Sequence, residues 1–161
     1  DFGLAVSLSA DGKIVAIGAA AHDPSADLVD AGHVKVYFYD EGLEEWYQLG
    51  QEIDGEYYGY YERGGGLGAG VSISSDGKTL AIGAPYSHSN GYYGGVGKVY
   101  EYKEVSMTWV QVGGDIESDC SNEEFGGWVS ISADGKIVAV GGSEYYYALG
   151  RVQVFENSCE I

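Results

Sequence analysis

The sequence has little positive charge and no long hydrophobic run. Of 161 residues only 8 are Lys or Arg, against 25 Asp or Glu, which gives a formal net charge of −17. Because such a chain repels phosphate groups, nucleic acids and anionic lipids are disfavoured as partners. No stretch of about 18 apolar residues is present, so no membrane-spanning segment is predicted. Hydrophobic residues still make up 45% of the chain, which is enough for a core and argues against general disorder.

Recognisable catalytic motifs are also missing. The sequence has no Gly-x-Ser-x-Gly elbow, and 25 acidic residues offer many carboxylate pairs without selecting one. The His residues are His22, His33 and His88. None of them stands at a spacing from another His or from a Cys that is typical of metal ligands. The loop of His22 holds three Asp residues, which predict a solvated acidic loop, with weak cation binding as the alternative; they are Asp23, Asp27 and Asp30. We therefore predict that the chain is not an enzyme.

Three segments of the chain repeat one pattern. Each contains an Asp-Gly-Lys triplet, and the triplets begin at Asp11, Asp76 and Asp134, with steps of 65 and 58 residues. Apolar runs before and after each triplet alternate or are β-branched, which predicts two strands joined by a tight turn. The blocks that follow predict a third strand after Gly32, Gly95 and Gly150 and a fourth strand at Trp46 and Trp109.

This repeat predicts an all-β protein made of β-propeller-type blades, each with four antiparallel strands. The chain accounts for about 2.75 blades, as a fragment or an open arc, because propellers use roughly four to eight blades. The predicted blades are 1–56, 57–117 and 118–161, the last without its fourth strand. A β-sandwich of eleven strands is the alternative, but a sandwich does not need three near-identical segments.

Short Phe-Gly and Gly-Ala-Pro motifs mark the start and end of these repeats. They stand at Phe2-Gly3, Leu67-Gly68 and Phe125-Gly126, and at Gly18-Ala19-Ala20, Gly83-Ala84-Pro85 and Gly141-Gly142-Ser143. In this register the chain resembles the FG-GAP repeat, which builds the propeller of integrin α-subunits and of many secreted or surface proteins. The resemblance covers almost the whole chain. It implies an extracellular or cell-surface location and a ligand-binding face formed by the loops between second and third strands and by the connections between blades.

The turn between the first and second strands departs from the calcium-binding form of that family. That form places several Asp or Asn residues in the turn, whereas this chain offers only Asp11, Asp76 and Asp134, flanked by Ser and Ala. Calcium takes roughly six to eight oxygen ligands. We therefore expect each Asp to cap its own turn by accepting backbone N–H groups, with calcium binding as a weak alternative. No cofactor is predicted.

Tyrosine is concentrated in the loops at one end of the predicted blades. Ten of the 15 Tyr residues lie there: Tyr57, Tyr58, Tyr60, Tyr61, Tyr86, Tyr92, Tyr93, Tyr145, Tyr146 and Tyr147. Tyr combines apolar area with a hydroxyl group at a low entropic cost, which suits contacts to protein or sugar. The same rings could instead pack over the Gly-rich backbone between blades. Both interpretations stay open, and the ten residues are the predicted ligand-binding set.

These features predict a non-catalytic interaction or adhesion module of a secreted or cell-surface propeller protein, which binds protein or glycan through its Tyr-rich loops. The alternatives are a structural building block or peripheral subunit of a larger extracellular assembly, in which other repeats or subunits complete the ring, and a carbohydrate-active enzyme. The predicted strand order places Cys120 and Cys159 at opposite ends of a blade. Because disulfide-linked Cα atoms lie within roughly 7 Å, we expect free thiols or partners outside this chain.

Overall fold

The computed structural model consists of β-strands joined by turns and loops. It describes residues 2–22, 30–58, 63–89, 92–117, 124–143 and 150–156, with the backbone alone for residues 57, 58, 63, 88, 89, 92 and 93. These ranges contain no helix, and so no helix that is long and apolar enough to cross a membrane. The strands are β1 (Ala5–Leu8), β2 (Ile14–Ala19), β3 (His33–Asp40), β4 (Glu45–Gln48), β5 (Ile53–Asp54), β6 (Tyr57–Tyr58), β7 (Arg63–Gly64), β8 (Gly70–Ile73), β9 (Thr79–Ala84), β10 (His88–Ser89), β11 (Tyr92–Tyr93), β12 (Val96–Lys103), β13 (Thr108–Gln111), β14 (Ile116–Glu117), β15 (Trp128–Ile131), β16 (Ile137–Gly142) and β17 (Arg151–Glu156).

Three antiparallel sheets with equivalent strand order contain most of the strands, and β6–β7 and β10–β11 form two further two-stranded sheets. The first has the order β1-β2-β3-β4 and the second β8-β9-β12-β13, and in each the third strand also pairs with a short further strand, β5 or β14. The third sheet has the order β15-β16-β17. Their registers agree, since Val6 pairs with Ile17 in the first sheet and Val71 with Ile82 in the second. The prediction of all-β, propeller-type blades is confirmed, and we call these sheets blades 1, 2 and 3. The boundaries 1–56, 57–117 and 118–161 stay a prediction.

The core lies between the blades rather than inside any one of them. Val34 and Val36 of blade 1 pack with Leu80 and Ile82 of blade 2, and all four side chains are buried. A second cluster joins blades 2 and 3 and includes the buried Phe125. Blade 2 contributes buried side chains to both clusters, so both of its faces are covered. Burial of this apolar area is the main force that stacks the blades.

Hydrogen bonds repeat between the first strands of successive blades. The Ile73 backbone N–H donates to the Ser7 hydroxyl oxygen at 3.1 Å, and the Ile131 N–H donates to the Ser72 hydroxyl oxygen at 3.0 Å. These bonds satisfy N–H groups on strands that pair with a neighbour on one side only. The Ser residues of the repeat therefore fix the height of each blade relative to the one before it.

Glycine allows the blades to approach closely at the end of the second strand. A Cβ atom on Gly18 would lie 2.1 Å from the Gly68 carbonyl oxygen, and one on Gly83 would lie 1.7 Å from the Gly126 carbonyl oxygen. Any side chain at these positions would overlap the backbone of the next blade. The equivalent Gly141 of blade 3 has no atom nearer than 3.7 Å to such a Cβ. The Gly-Ala motif of the repeat is thus required where two blades meet.

Two faces at the ends of this stack expose apolar side chains. The leading face is that of blade 1, where Val6 and Leu8 are exposed although their blade 2 equivalents are buried. The trailing face is that of blade 3, where Val152 and Val154 are 69% and 65% exposed. Their blade 1 equivalents pack fully buried against blade 2. Each end face thus presents the same kind of apolar surface that joins the blades internally.

Candidate functional site

The loops at one end of blades 1 and 2 contact one another. The Leu67 backbone N–H donates to the Ala31 carbonyl at 3.0 Å, and the Gly66 N–H donates to the Asp30 carbonyl at 3.1 Å. These bonds join the loop between β2 and β3 to the connection that leads from blade 1 to blade 2. The antiparallel strand order brings both segments to the end opposite the Asp-Gly-Lys turns. This loop end is therefore a continuous surface formed by two blades.

Tyr86 is the residue of the predicted Tyr set whose side chain the structure describes. It is exposed and lines a shallow pocket of about 240 Å³ together with Leu4, Ala20 and Gly64. The short antiparallel pairs β6–β7 and β10–β11 hold the backbones of four other residues of the set; these are Tyr57, Tyr58, Tyr92 and Tyr93. The remaining five lie outside the described residues: Tyr60, Tyr61, Tyr145, Tyr146 and Tyr147. A ligand-binding role for these Tyr residues stays a prediction.

The Asp residues of the tight turns accept hydrogen bonds from their own turns. In blade 1, Oδ1 of Asp11 accepts from the Ser9 hydroxyl at 2.6 Å and from the Lys13 backbone N–H at 3.0 Å. These two bonds hold the pKa of Asp11 below its usual range. Asp76 and Asp134 accept the equivalent bonds in the other two blades. The turn-capping arrangement expected from the sequence is present in all three blades, at the end away from the loops.

Two His residues and one Glu meet at the loop end of blade 1. His22 follows β2, His33 begins β3, and Glu52 precedes β5. The Gly32 backbone N–H donates to the His22 carbonyl at 3.0 Å, which closes the intervening loop and brings the two imidazoles together. Their ring centroids are 4.1 Å apart in an edge-to-face arrangement. One possible metal-ligating atom from each of the three residues lies within 4.8 Å of the others.

His33 is the buried member of this cluster. The residue is 3% exposed, and in the part of the chain that the structure describes neither ring nitrogen has a hydrogen-bond partner. Burial lowers the pKa of His33, an effect that the carboxylate of Glu52 partly opposes. The imidazole is therefore neutral at neutral pH and keeps one nitrogen lone pair available. His22, by contrast, is exposed and forms the solvent side of the cluster.

Glu52 is oriented by a second contact. Its Oε1 lies 3.3 Å from Nδ1 of His33, and its Oε2 lies 3.2 Å from Nζ of Lys35. Blade 2 has the same ion pair at the equivalent positions, where the buried Lys98 amine lies 3.0 Å from Asp115. The lysine–carboxylate pair is therefore a feature of the repeat.

The imidazoles, in contrast, belong to blade 1 alone among the aligned repeats. Blade 2 has Ser87 and Val96 where blade 1 has His22 and His33, and its Ser87 N–H makes the same turn bond that the His22 N–H makes. A Val side chain thus fills the His33 position without a polar group. The cluster adds chemistry to blade 1 that the fold itself does not require.

Sequence reasoning missed this cluster. The eleven-residue step from His22 to His33 is not a recognised ligand spacing, and the predicted acidic loop placed His22 with Asp residues instead. Of those, Asp23 and Asp27 lie outside the described residues. The signal that could have revealed the site was the repeat alignment, which sets His33 against a core Val. Cys120 and Cys159 also lie outside the described residues, so their pairing stays untested.

Comparison with known proteins shows the fold and leaves the family open. No family model matches the chain, and no curated protein matches it. The resemblance to FG-GAP repeats therefore stays a prediction. Two solved structures are similar over 94% of the chain: a putative 6-phosphogluconolactonase from Bacteroides uniformis (15% identity, TM-score 0.51) and a periplasmic gluconolactonase from Pseudomonas aeruginosa (14% identity, TM-score 0.54). The chain spans 39% and 38% of the lengths of those two proteins.

These similarities correct the predicted function. The sequence predicted a non-catalytic interaction or adhesion module, and this prediction is wrong, because both similar structures are named as lactonases and neither as an adhesion protein. The carbohydrate-active alternative agrees better with them. At such low identity the similarity shows the fold alone. The chain is an all-β protein of propeller-type blades that carries a His22–His33–Glu52 cluster at its loop end.

Proposed function

We propose that this chain is part of a β-propeller hydrolase that opens lactones of sugars, with the reaction at the loop end of blade 1. The observation that carries the proposal is the His22–His33–Glu52 cluster, in which the buried imidazole of His33 makes no hydrogen bond and lies 3.3 Å from the carboxylate of Glu52. A buried polar side chain that makes no hydrogen bond calls for an explanation, and a functional role at the loop surface is one. The names of the two similar structures support lactones as the substrate class.

The proposed reaction needs only water as the second reactant. The water oxygen forms a bond to the lactone carbonyl carbon, the bond between that carbon and the ring oxygen breaks, and the water proton ends on the leaving alkoxide. The His22–His33–Glu52 cluster would lower the cost of removing that proton, which is the contribution expected of a general base or a metal-bound water. His22 is the exposed member, so the substrate would approach from its side.

The charge of the chain favours an unphosphorylated lactone. A net charge of −17 creates a negative field that repels a phosphorylated sugar and leaves a neutral lactone unaffected. We therefore propose gluconolactone-type substrates rather than their 6-phospho forms. A location outside the cytoplasm belongs to the same proposal and is supported by the periplasmic origin in the name of one similar structure.

The test is hydrolysis of gluconolactone, followed by titration of the acid released at constant neutral pH and compared with the spontaneous rate. We expect His22→Ser to lower kcat/KM at least tenfold (about 1.4 kcal/mol of barrier), because it removes the exposed imidazole. His88→Ser is the matched control, since it removes a His from the corresponding loop of blade 2 and should leave the rate unchanged. A protein that does not exceed the spontaneous rate, or a His22→Ser variant as active as the parent, contradicts the proposal.

The trailing face favours a second, structural function. We propose that a further blade of the same repeat covers Val152 and Val154, because Val34 and Val36 are covered by blade 2 in that way. In addition, no N–H group in the described residues bonds to the Ser130 hydroxyl, whose equivalents each hold the next blade. Trp128 replaces a small residue here, so the covering blade must leave room for an indole ring.

Self-association tests this second function. At micromolar concentrations the parent chain should sediment as more than a monomer, because its leading face resembles the face that covers blade 2. The double variant Val152→Asp with Val154→Asp should shift the equilibrium to monomer by at least tenfold in dissociation constant, since it buries charge at the interface. Val105→Asp changes a fully exposed turn residue and serves as the control. A parent chain that stays monomeric at every concentration contradicts the proposal.

A further inference from the structure

Three donor atoms of different segments converge at the loop end of blade 1. They come from His22 after β2, His33 at the start of β3 and Glu52 before β5, and they lie within 4.8 Å of one another. Ligands of a tetrahedral zinc ion with 2.0–2.1 Å bonds are roughly 3.3 Å apart. The donors therefore have to close by about 1.5 Å at most, which rotation of the exposed His22 side chain can supply.

We propose that His22, His33 and Glu52 bind a divalent transition-metal ion, with zinc as the preferred ion. Two imidazoles and one carboxylate are donors that zinc favours, and three protein ligands leave a fourth position open for water. Calcium and magnesium prefer sites made of oxygen alone, so the two nitrogen donors select against them. The inference deepens the proposed lactone hydrolysis and rests on it for the role of the bound water, but the metal site itself stands on the geometry.

The burial of His33 without a hydrogen bond is a second observation that supports this site, in addition to the distances between the donor atoms. Its side chain is 96% buried, and in the part of the chain that the structure describes neither ring nitrogen makes a hydrogen bond of acceptable geometry, although Nδ1 lies 3.3 Å from Oε1 of Glu52. A buried polar group normally has a partner, because removing it from water is costly. The core does not need a polar group here, since Val96 fills the equivalent position of blade 2. A metal ion would be the missing partner of one ring nitrogen.

Glu52 is already held for this role. Lys35 binds its Oε2 at 3.2 Å, so its Oε1 is directed to the imidazoles, 3.3 Å from Nδ1 of His33. Contacts of this kind, made by groups behind the ligands, orient a carboxylate and raise the affinity of a metal site. The remaining side of the ion would face solvent beside His22. A water molecule bound there would lie on the side from which the substrate is proposed to approach.

The blade 2 sequence supplies the matched variant for the test. The double change His22→Ser with His33→Val installs the residues that blade 2 carries at these positions, so it should fold as the parent does, with a similar circular dichroism spectrum and Tm. Affinity for Zn²⁺ is measured on the metal-free protein by competition with a chromophoric chelator, with Mg²⁺ in excess to saturate weak carboxylate sites. We expect the double variant to lose at least about 100-fold in affinity, since loss of a single supporting contact already costs 10–100-fold.

Cobalt and a second variant separate the possible outcomes. Co²⁺ should give the intense visible spectrum of a tetrahedral site without a thiolate charge-transfer band, and His88→Ser should change neither the spectrum nor the affinity. Unchanged Zn²⁺ affinity in the double variant, or a Co²⁺ spectrum with a thiolate band, would overturn the proposal. A chain that binds Zn²⁺ as expected but does not hydrolyse lactones overturns the proposed function and leaves the metal site standing. Hydrolysis without specific metal binding overturns the site and leaves the function.

Discussion

Replacing Gly83 with Ala should destabilise the protein by more than about 3 kcal/mol, beyond the usual cost of an overpacked core. The added Cβ atom would lie 1.7 Å from the carbonyl oxygen of Gly126 and 2.6 Å from its carbonyl carbon. These are backbone atoms of the next blade, so no side-chain rotation can relieve the overlap. The blades would have to move apart, which would open the apolar contact between them. Urea unfolding followed by circular dichroism measures the change in the free energy of unfolding.

Gly141→Ala is the control for this experiment. Gly141 has the same position in its repeat, but its nearest neighbours to an added Cβ are at 3.7 Å, an ordinary contact distance. We expect a change within about 0.5 kcal/mol, or a small gain from the reduced freedom of the unfolded chain. Equal destabilisation by the two substitutions would show that the cost lies in the strand itself and not in the approach of the next blade.

Phe125→Ala should cost about 3–5 kcal/mol, the range found when a fully buried Phe is truncated. Its ring is fully buried in the cluster that joins blades 2 and 3, with Val138 and Val140 among its neighbours. Truncation would leave a cavity at the contact between the two blades, because strands on both sides hold the walls apart. We expect a lower midpoint of urea denaturation, and blade 3 should lose its amide hydrogen-exchange protection before blade 1 does.

The matched control for this prediction is Phe2→Ala. Phe2 opens the first repeat as Phe125 opens the third, but it lies on the leading face and is 54% exposed. At concentrations low enough to keep the chain monomeric, we expect a loss of less than about 1 kcal/mol, since little apolar area leaves contact with the protein. A loss as large as that of Phe125→Ala would mean that the leading face is covered in solution. The pair therefore reports on the state of that face as well as on the core.

The strands were predictable because short stretches of the sequence are enough to specify them. Alternation of Val6 and Leu8 with Ser, followed by Asp11-Gly12, specifies two strands and a tight turn without any distant contact. Period two also shows which side chains share a face. It does not show which faces are covered, and Val152 looks as apolar as Val34 although one is exposed and the other buried. That difference depends on the presence of a neighbouring blade, which no local pattern contains.

The candidate site could not be predicted because its three residues are brought together by the pairing register of the strands, which the sequence does not show. Ala19 pairs with His33, and this pairing, together with the bond that closes the loop at the His22 carbonyl, sets the two imidazoles side by side. Glu52 arrives from a third segment, beside the short strand β5. Predicting this would have required the register of β3 with both neighbours. The mistaken adhesion function had the same origin, since it rested on the lack of a linear motif, and side chains that meet only through register leave no such motif.

The serine bonds between first strands have an evolutionary consequence. Ser7 receives the Ile73 amide as Ser72 receives the Ile131 amide, so each unit carries the acceptor on one side and the donor on the other. If the gene segment that encodes one blade were duplicated in tandem, the first strand of the new blade would already carry the N–H donor that fits the serine acceptor of the blade before it. Addition of whole blades would therefore need no new interface. Once several blades stack, any one of them can acquire new residues, such as the His residues of blade 1, without loss of the stacking contacts.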